Sequence, residues 1–298
     1  MRTSQAFRSL LAALRLLVVM TVIVGIGYPL AVTAVAQVPG LKSRADGSLV
    51  KAADGHVVGS RLIGQSFTDK DGNPLVQYFQ SRPSAAGAGY DPTASSPSNL
   101  GPESVLDVLA DPAVADDKGT QRLLTLVCSR SQAVGKLEGV DGSRPFCTPS
   151  GVGAVLVVFH AGPGYSGAVT RAVSANEACP AAPFVPSFQG VTVECGKPGE
   201  DLSAGQLVPV RGDAPSEPAV PADAVTASAS GLDPEISPSY AELQAPRIAK
   251  SRGMSEADVR AMISSYSKGR DLGFLGEPRV NVLALNMDLD AQHPYVAH

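Results

Sequence analysis

An apolar run spans residues 16–38 with no charged side chain in it. About 20 helical residues cross a bilayer core, so these 23 predict one transmembrane helix. Arg2, Arg8 and Arg15 precede it without an acid, and Lys42 and Arg44 follow with Asp46 nearby. That bias puts residues 1–15 in the cytoplasm and the chain from about Gly40 onward outside. The alternative is a cleaved signal peptide, since Ala34-Val35-Ala36 fits a small-x-small cleavage site. The run is longer than the 7–15 residues of a signal core, which favours a retained anchor. Either reading exports the remainder.

Thr21 and Thr33 are the polar side chains inside the span, before Gln37 at its end, and Tyr28-Pro29 interrupts its pattern. An ion pathway needs charged or carbonyl-rich groups inside the membrane, so this helix alone is no transporter. Gly25 follows Thr21 by four residues and Ala31 follows Gly27 by four. With Tyr28 and Pro29 they form a candidate surface for close helix packing.

Beyond the span the periodicity changes. Residues 47–50 and 56–63 read as short strands with glycine turns, and residues 153–160 as the best single strand. Residues 81–102 and 212–221 are rich in Gly, Pro, Ser and Ala and read as links. The end of the chain reads as helical. Ser237-Pro238 is an N-cap and first helical residue. Pro246 is expected to break that helix, and Gly253 to stop it. Ser255 with Asp258 resembles a capping box. Val259, Met262, Ile263 and Tyr266 form an apolar stripe, read as core. Residues 280–285 read as a closing buried strand.

The expected fold class is α+β: a single N-terminal transmembrane helix, then an extracytoplasmic mixed α/β domain. The divisions are 1–15 cytoplasmic, 16–38 transmembrane, 39–103 first part of the outer domain, and 104–215 a stretch with four cysteines. Residues 216–290 form its helical second part, and 291–298 a flexible tail.

Composition adds exclusions. At 298 residues with 44 % apolar and 17 % charged side chains, the chain can bury a sizeable core. A net charge of −4 with no long basic run argues against a nucleic-acid partner. Cys128, Cys147, Cys179 and Cys195 are an even set in an exported segment. Three pairings are possible, and the local pairs Cys128–Cys147 and Cys179–Cys195 are favoured. No Cys-x-x-Cys occurs and no His stands at zinc spacing, so no metal site is expected.

Two motifs are set aside. Gly162-Pro163-Gly164-Tyr165-Ser166-Gly167 fits G-x-G-x-x-G, with Glu194 where a dinucleotide fold places an acid. The Pro inside it and the neighbouring cysteines favour a plain glycine turn. Arg211-Gly212-Asp213 matches an adhesion tripeptide by chance within a flexible link. Neither a G-x-S-x-G elbow nor a phosphate loop is present, and the four histidines, His56, His160, His293 and His298, suggest no triad.

Specific words go further than composition. Gly27-Tyr28-Pro29-Leu30 closes the span. Gly59-Ser60-Arg61-Leu62-Ile63-Gly64-Gln65-Ser66-Phe67, Phe79-Gln80-Ser81-Arg82-Pro83-Ser84 and Ser98-Asn99-Leu100 follow. Then come Val225-Thr226-Ala227-Ser228-Ala229-Ser230-Gly231-Leu232-Asp233, Gln244-Ala245-Pro246-Arg247-Ile248-Ala249 and Gly276-Glu277-Pro278-Arg279-Val280-Asn281-Val282-Leu283-Ala284-Leu285-Asn286. In this order they closely resemble the C subunit (KdpC) of the bacterial Kdp-type potassium-transporting ATPase. The resemblance covers residues 14–102 and 218–290; the family usually has only a short helical stretch where residues 104–215 stand.

The resemblance implies a non-catalytic accessory subunit of an ATP-driven potassium uptake complex. Its partners would be a potassium-channel-like subunit and a P-type ATPase subunit. It would hold them together and, as a catalytic chaperone, raise the pump's affinity for ATP. No cofactor would be stably bound, ATP and potassium being handled by the complex. Carried over from the family words, the nucleotide or partner residues would be Ser60, Gly64, Gln65, Arg82, Ser84, Asn99, Thr226, Ser228, Ser230, Asp233, Arg247, Asn281 and Asn286. Gln65 is the glutamine proposed in the family to touch nucleotide. The topology above puts it outside, whereas ATP is inside. Two readings of these words therefore stand: direct contact with another subunit, or internal structure, with Asn281 and Asn286 satisfying buried backbone and Arg247 making an internal pair. An exported, membrane-anchored binding or adhesion module is the alternative function.

Overall fold

The computed structural model describes residues 2–52, 54–95 and 103–296. The chain divides after Leu62 into two units.

The first unit is helical for most of its length. Helix α1 (Arg2–Met20) runs into a π-helical segment (Thr21–Gly27) and then α2 (Tyr28–Ala36). Residues Gln5–Ala36 are long and apolar enough to cross a membrane, and none of that window is buried within the protein. The helical run begins well before residue 16, where the charge-free segment starts. The wide π turn has a cause in Pro29: its ring would strike the carbonyl four residues back, and a widened turn makes room. Thr33 returns its hydroxyl to the Pro29 carbonyl at 2.8 Å, so this polar side chain needs no outside partner. A short helix α3 (Lys42–Ala45) follows, then a hairpin of β1 (Leu49–Lys51) with β2 (Val57–Ser60).

The second unit holds two cores. The first core is built on α5 (Pro238–Arg252), α6 (Glu256–Tyr266) and α7 (Val282–Gln292). A three-stranded antiparallel sheet in the order β8 (Glu235–Ile236), β10 (Arg279–Asn281), β9 (Ser267–Lys268) accompanies them. Phe79, Ile248, Ile263, Leu285 and Leu289 are fully buried there. The helix ends follow local chemistry. Ser237 and Ser255 accept from the N–H groups of Tyr240 and Asp258, and Gly253 closes α5 in a left-handed conformation at φ 63°.

Two expectations are corrected. Helix α5 runs through Pro246, which lies on its exposed face, where water can take the carbonyl that the missing N–H leaves free. Burial of Ala245, Ile248 and Ala249 then holds the helix together. The closing strand at 280–285 is only Arg279–Asn281; Asn281 accepts the Ala284 N–H at 2.9 Å and so starts α7. Near the end of the described chain, Arg252 donates to the His293 carbonyl at 2.7 Å and lies over the Tyr295 ring.

The second core belongs to the cysteine-bearing stretch. Five strands stand in the order β5 (Ser187–Phe188), β6 (Val191–Gly196), β4 (Ser166–Ala178), β3 (Val155–Gly162), β7 (Gln206–Pro209). Only the β4–β6 pair is parallel. Residues 155–158 are buried without alternation, so both faces of β3 are covered. The G-x-G-x-x-G word is the turn of the β3–β4 hairpin, with Gly162 paired to Ser166. Cys128 bonds Cys147 and Cys179 bonds Cys195, with Cα separations of 5.4 and 5.1 Å.

This stretch is not a free appendage. Helix α4 (Leu123–Glu138) carries Val127 and Val134 onto the first core, with Val140 just beyond it. Arg130 and Arg144 donate to the carbonyls of Val225 and Val220. The start of α4 lacks a cap of its own; Asp107 supplies one from a distance, accepting the Arg122 N–H and the Thr125 hydroxyl at 2.6 Å each. At the other end the backbone of Gly142 packs on Gly135, where an added Cβ would stand 2.6 Å from the Gly142 Cα.

Candidate functional site

The family words converge in the second unit on two places, one an extended segment and the other a polar knot. Among the described residues no strand pairs with the segment at residues 76–80. Side chains replace the missing ladder. Asn286 accepts the Phe79 N–H and donates to the Phe79 carbonyl, both at 2.9 Å. Gln244 does the same for Gln80, at 2.6 and 3.2 Å. Each carboxamide offers one donor and one acceptor, the pair that a neighbouring strand residue would offer. Arg247 adds bonds to the carbonyls of Tyr78, at 3.0 Å, and Val76, and Arg252 takes that of Gln77 at 2.9 Å.

Arg247 also clamps α5 to α4. Its Nε donates to both oxygens of Glu138 at 3.1 and 3.0 Å, and its Nη2 to Gln244 Oε1 at 2.8 Å. The Glu138 side chain is 0 % exposed and that of Arg247 8 %. Burial pushes the Glu138 carboxyl above its ordinary pKa, against the pull of the Arg247 charge. The family word around Arg247 thus engages a residue of the cysteine-bearing stretch, which sequence reading had no means to pair.

The knot ties residues 82–95 to residues 226–233. Arg82 donates to the Thr226 carbonyl at 3.3 and 3.4 Å and to Asp233 at 3.4 Å. The Ser84 hydroxyl donates to the Gly231 carbonyl at 2.6 Å and accepts the Tyr90 N–H at 2.8 Å. Tyr90 returns its hydroxyl to the Arg82 carbonyl at 2.7 Å, and burial raises the pKa of that phenol. Ser230 donates to Asp233, and the Ser228 carbonyl accepts the Gly231 N–H. The Thr226 hydroxyl turns back to the Ala222 carbonyl at 2.8 Å. Gly64 joins the knot through its N–H to the Leu232 carbonyl at 2.8 Å; a Cβ there would meet the Tyr90 ring and lie 2.7 Å from the Asp233 carbonyl oxygen.

The remaining predicted residues lie elsewhere. Ser60 is in the first unit, donating to the Gly47 carbonyl at 2.7 Å within the β1–β2 hairpin. Gln65 is half-buried beside Gly64. Asn281 caps α7, and Asn99 falls outside the described residues. Gly25, Gly27, Tyr28 and Ala31 lie on exposed faces of the N-terminal helical run, with Pro29 at the head of α2. The division of the chain cuts the Leu62-Ile63-Gly64-Gln65 word after its first residue.

Sequence reading missed a cavity in the second unit, about 720 Å³, lined mostly by the cysteine-bearing stretch. Gln132, Arg144, Phe184, Val210 and Asp213 line it, and none of the described family-word residues takes part. Among the described residues no group of three or more His, Cys, Asp or Glu could hold a metal. The bonds of the described family-word residues run largely within the chain, tying loops and helix ends together.

A family model described as "KdpC: K+-transporting ATPase, c chain" matches residues 10–112 and 204–291. A "Potassium-transporting ATPase KdpC subunit" of Caulobacter vibrioides (strain NA1000 / CB15N) is 37 % identical over 277 residues, covering 93 % of this chain and 90 % of its own length. Those of Koribacter versatilis (strain Ellin345) and Mycobacterium tuberculosis (strain ATCC 25177 / H37Ra) are 32 % and 36 % identical. They cover 96 % and 95 % of this chain and 96 % and 98 % of their own lengths. These alignments leave less than a tenth of the chain uncovered, so these relatives share most of the stretch that the family model omits, residues 113–203. By the family model and by identity over nearly its whole length, the chain belongs to the family of the C chain of potassium-transporting ATPases.

Proposed function

We propose that this chain is the non-catalytic accessory subunit of an ATP-driven potassium uptake complex. In this reading α1 and α2 anchor it beside a potassium-channel-like subunit and a P-type ATPase subunit. The second unit stands on the outer side and holds the assembly together. As a catalytic chaperone it raises the ATPase subunit's affinity for ATP through those contacts, while ATP and potassium are bound by its partners. The observation that carries the reading is the use made of the family words: Arg82, Ser84, Ser230, Asp233, Gln244, Arg247 and Asn286 bond to the chain's own backbone and side chains. Such a frame presents a fixed surface to a partner. Two disulfides suit an oxidising compartment and support the outward placement, as does the basic N-terminal flank.

The test is a pull-down from detergent-solubilised membranes through a C-terminal tag on this chain. Co-purification of a P-type ATPase and a channel-like subunit in fixed ratio is expected, and the isolated chain neither hydrolyses ATP nor conducts ions. A chain that purifies alone, or soluble with Gln37 as its first residue, would overturn the reading and favour an exported binding module.

A further inference from the structure

The turn between β9 and β10, residues 269–278, carries the most exposed large apolar side chains among the described residues of the second unit. Leu272 is 83 % exposed and Phe274 68 %, with Leu275 beside them. Water-facing apolar residues are common singly; three in a four-residue turn are not explained by the fold. The turn is also built to stay in one shape. Asp271 and Leu275 exchange two backbone hydrogen bonds, at 2.8 and 2.9 Å. Leu272 takes φ 54°, a conformation rare for a bulky L side chain. Strain of this sort tends to gather at functional positions. On the flanks Arg270 pairs with Glu277 at 2.7 Å and Arg279 with Asp271 at 2.9 Å.

We propose that this turn is a docking finger, and that Leu272, Phe274 and Leu275 seat in an apolar socket on another protein chain of the potassium-transporting ATPase. The proposal rests on the accessory-subunit reading above. The charge pattern selects a protein over a lipid surface. A loop that docks on anionic lipid presents bases free of acids to the headgroups. Here Lys268, Arg270 and Arg279 share the finger with Asp271 and Glu277, and both acids are paired within it. Paired rim charges around an aromatic and aliphatic centre match the anatomy of a protein interface, with Phe274 as the anchor. Because the neighbouring charges already satisfy one another, little charge must be stripped bare when the tip is covered.

The experiment places a photo-crosslinking amino acid at position 274 of the full chain in membranes holding the whole complex. The same residue at position 165, in the exposed turn of the β3–β4 hairpin, is the control. Irradiation is expected to join position 274, and not 165, to a different chain of the complex. The pair Leu272→Ser and Phe274→Ser is expected to lower co-purification about tenfold or more, with unchanged thermal unfolding because neither side chain is buried. Crosslinking to lipid, to a second copy or to nothing would overturn the finger, as would co-purification unaffected by the two substitutions. If the unaltered chain retains no other subunit, the accessory-subunit reading itself fails and the finger with it. If it retains them while position 274 stays silent, the finger alone fails.

Discussion

Replacement of Arg247 by Met tests the frame at its densest point. The guanidinium serves both oxygens of a fully buried Glu138, the Gln244 carboxamide and two backbone carbonyls. Met fills much of the same volume, so the loss is polar rather than a cavity. What remains is a buried carboxylate without its cation and carbonyls without donors. Removing one partner of a buried ion pair costs about 3–5 kcal/mol. For a chain of this size each kcal/mol moves the melting temperature by about 2–4 °C, so a fall of roughly 6–20 °C is expected. Circular dichroism at 222 nm on the full chain in detergent reads it. The double variant Arg247→Met with Glu138→Leu removes the stranded charge and is expected to be more stable than Arg247→Met alone. A single variant that melts within 2 °C of the parent, or a double variant less stable than the single, would refute the reasoning.

Glu138→Gln tests the same pair by pH. The folded-state pKa of Glu138 is raised by burial, so the native state holds the proton more tightly than the unfolded chain. Its contribution is complete below the unfolded value near 4.5 and is lost as pH rises through the folded value. The stability gap between parent and Glu138→Gln should therefore narrow from pH 4 to pH 7, and a gap that widens contradicts the assignment. Cys128→Ser with Cys147→Ser opens a loop with a sequence separation of 19 and should cost about 3 kcal/mol, measured by urea unfolding. Gly64→Ala forces a Cβ against the Tyr90 ring and the Asp233 carbonyl; a clear loss of thermal stability is expected, whereas an unchanged melting point would show that the knot is loose. Deletion of residues 16–36 should abolish recovery of the other subunits in the pull-down while leaving the two disulfides formed, as non-reducing mass spectrometry would show.

Local signals in the sequence were sufficient for several elements. A charge-free run of bilayer length needs no tertiary context to be seen. Ser237, Gly253 and Ser255 act within one turn of their own helices, so capping chemistry revealed those ends. Cysteines 16 and 19 residues apart lie close enough for local pairing to be the simplest choice. Pro246 was misread because intrinsic propensity is local while the burial that overrides it is not. Residues 280–285 were misread as all strand because a short apolar run does not distinguish strand from helix, and Asn281, the residue that decides, resembles any other polar position.

Long-range pairing was decided only by the fold. The ladder that Gln244 and Asn286 supply to residues 79 and 80 joins positions 164 and 207 apart in sequence. The Arg247–Glu138 pair spans 109 residues, and Asp107 caps a helix 15 residues away. Nothing in a string of residue types states which carboxylate will meet which guanidinium, since each has many candidates and geometry selects one. The sequence alone determined that this chain carries one apolar run of membrane-spanning length and belongs to the potassium-ATPase C-subunit family. The tertiary structure decided that its family words make an internal frame and that the cysteine-bearing stretch is fastened into it, because buried polar groups must find partners wherever packing brings them.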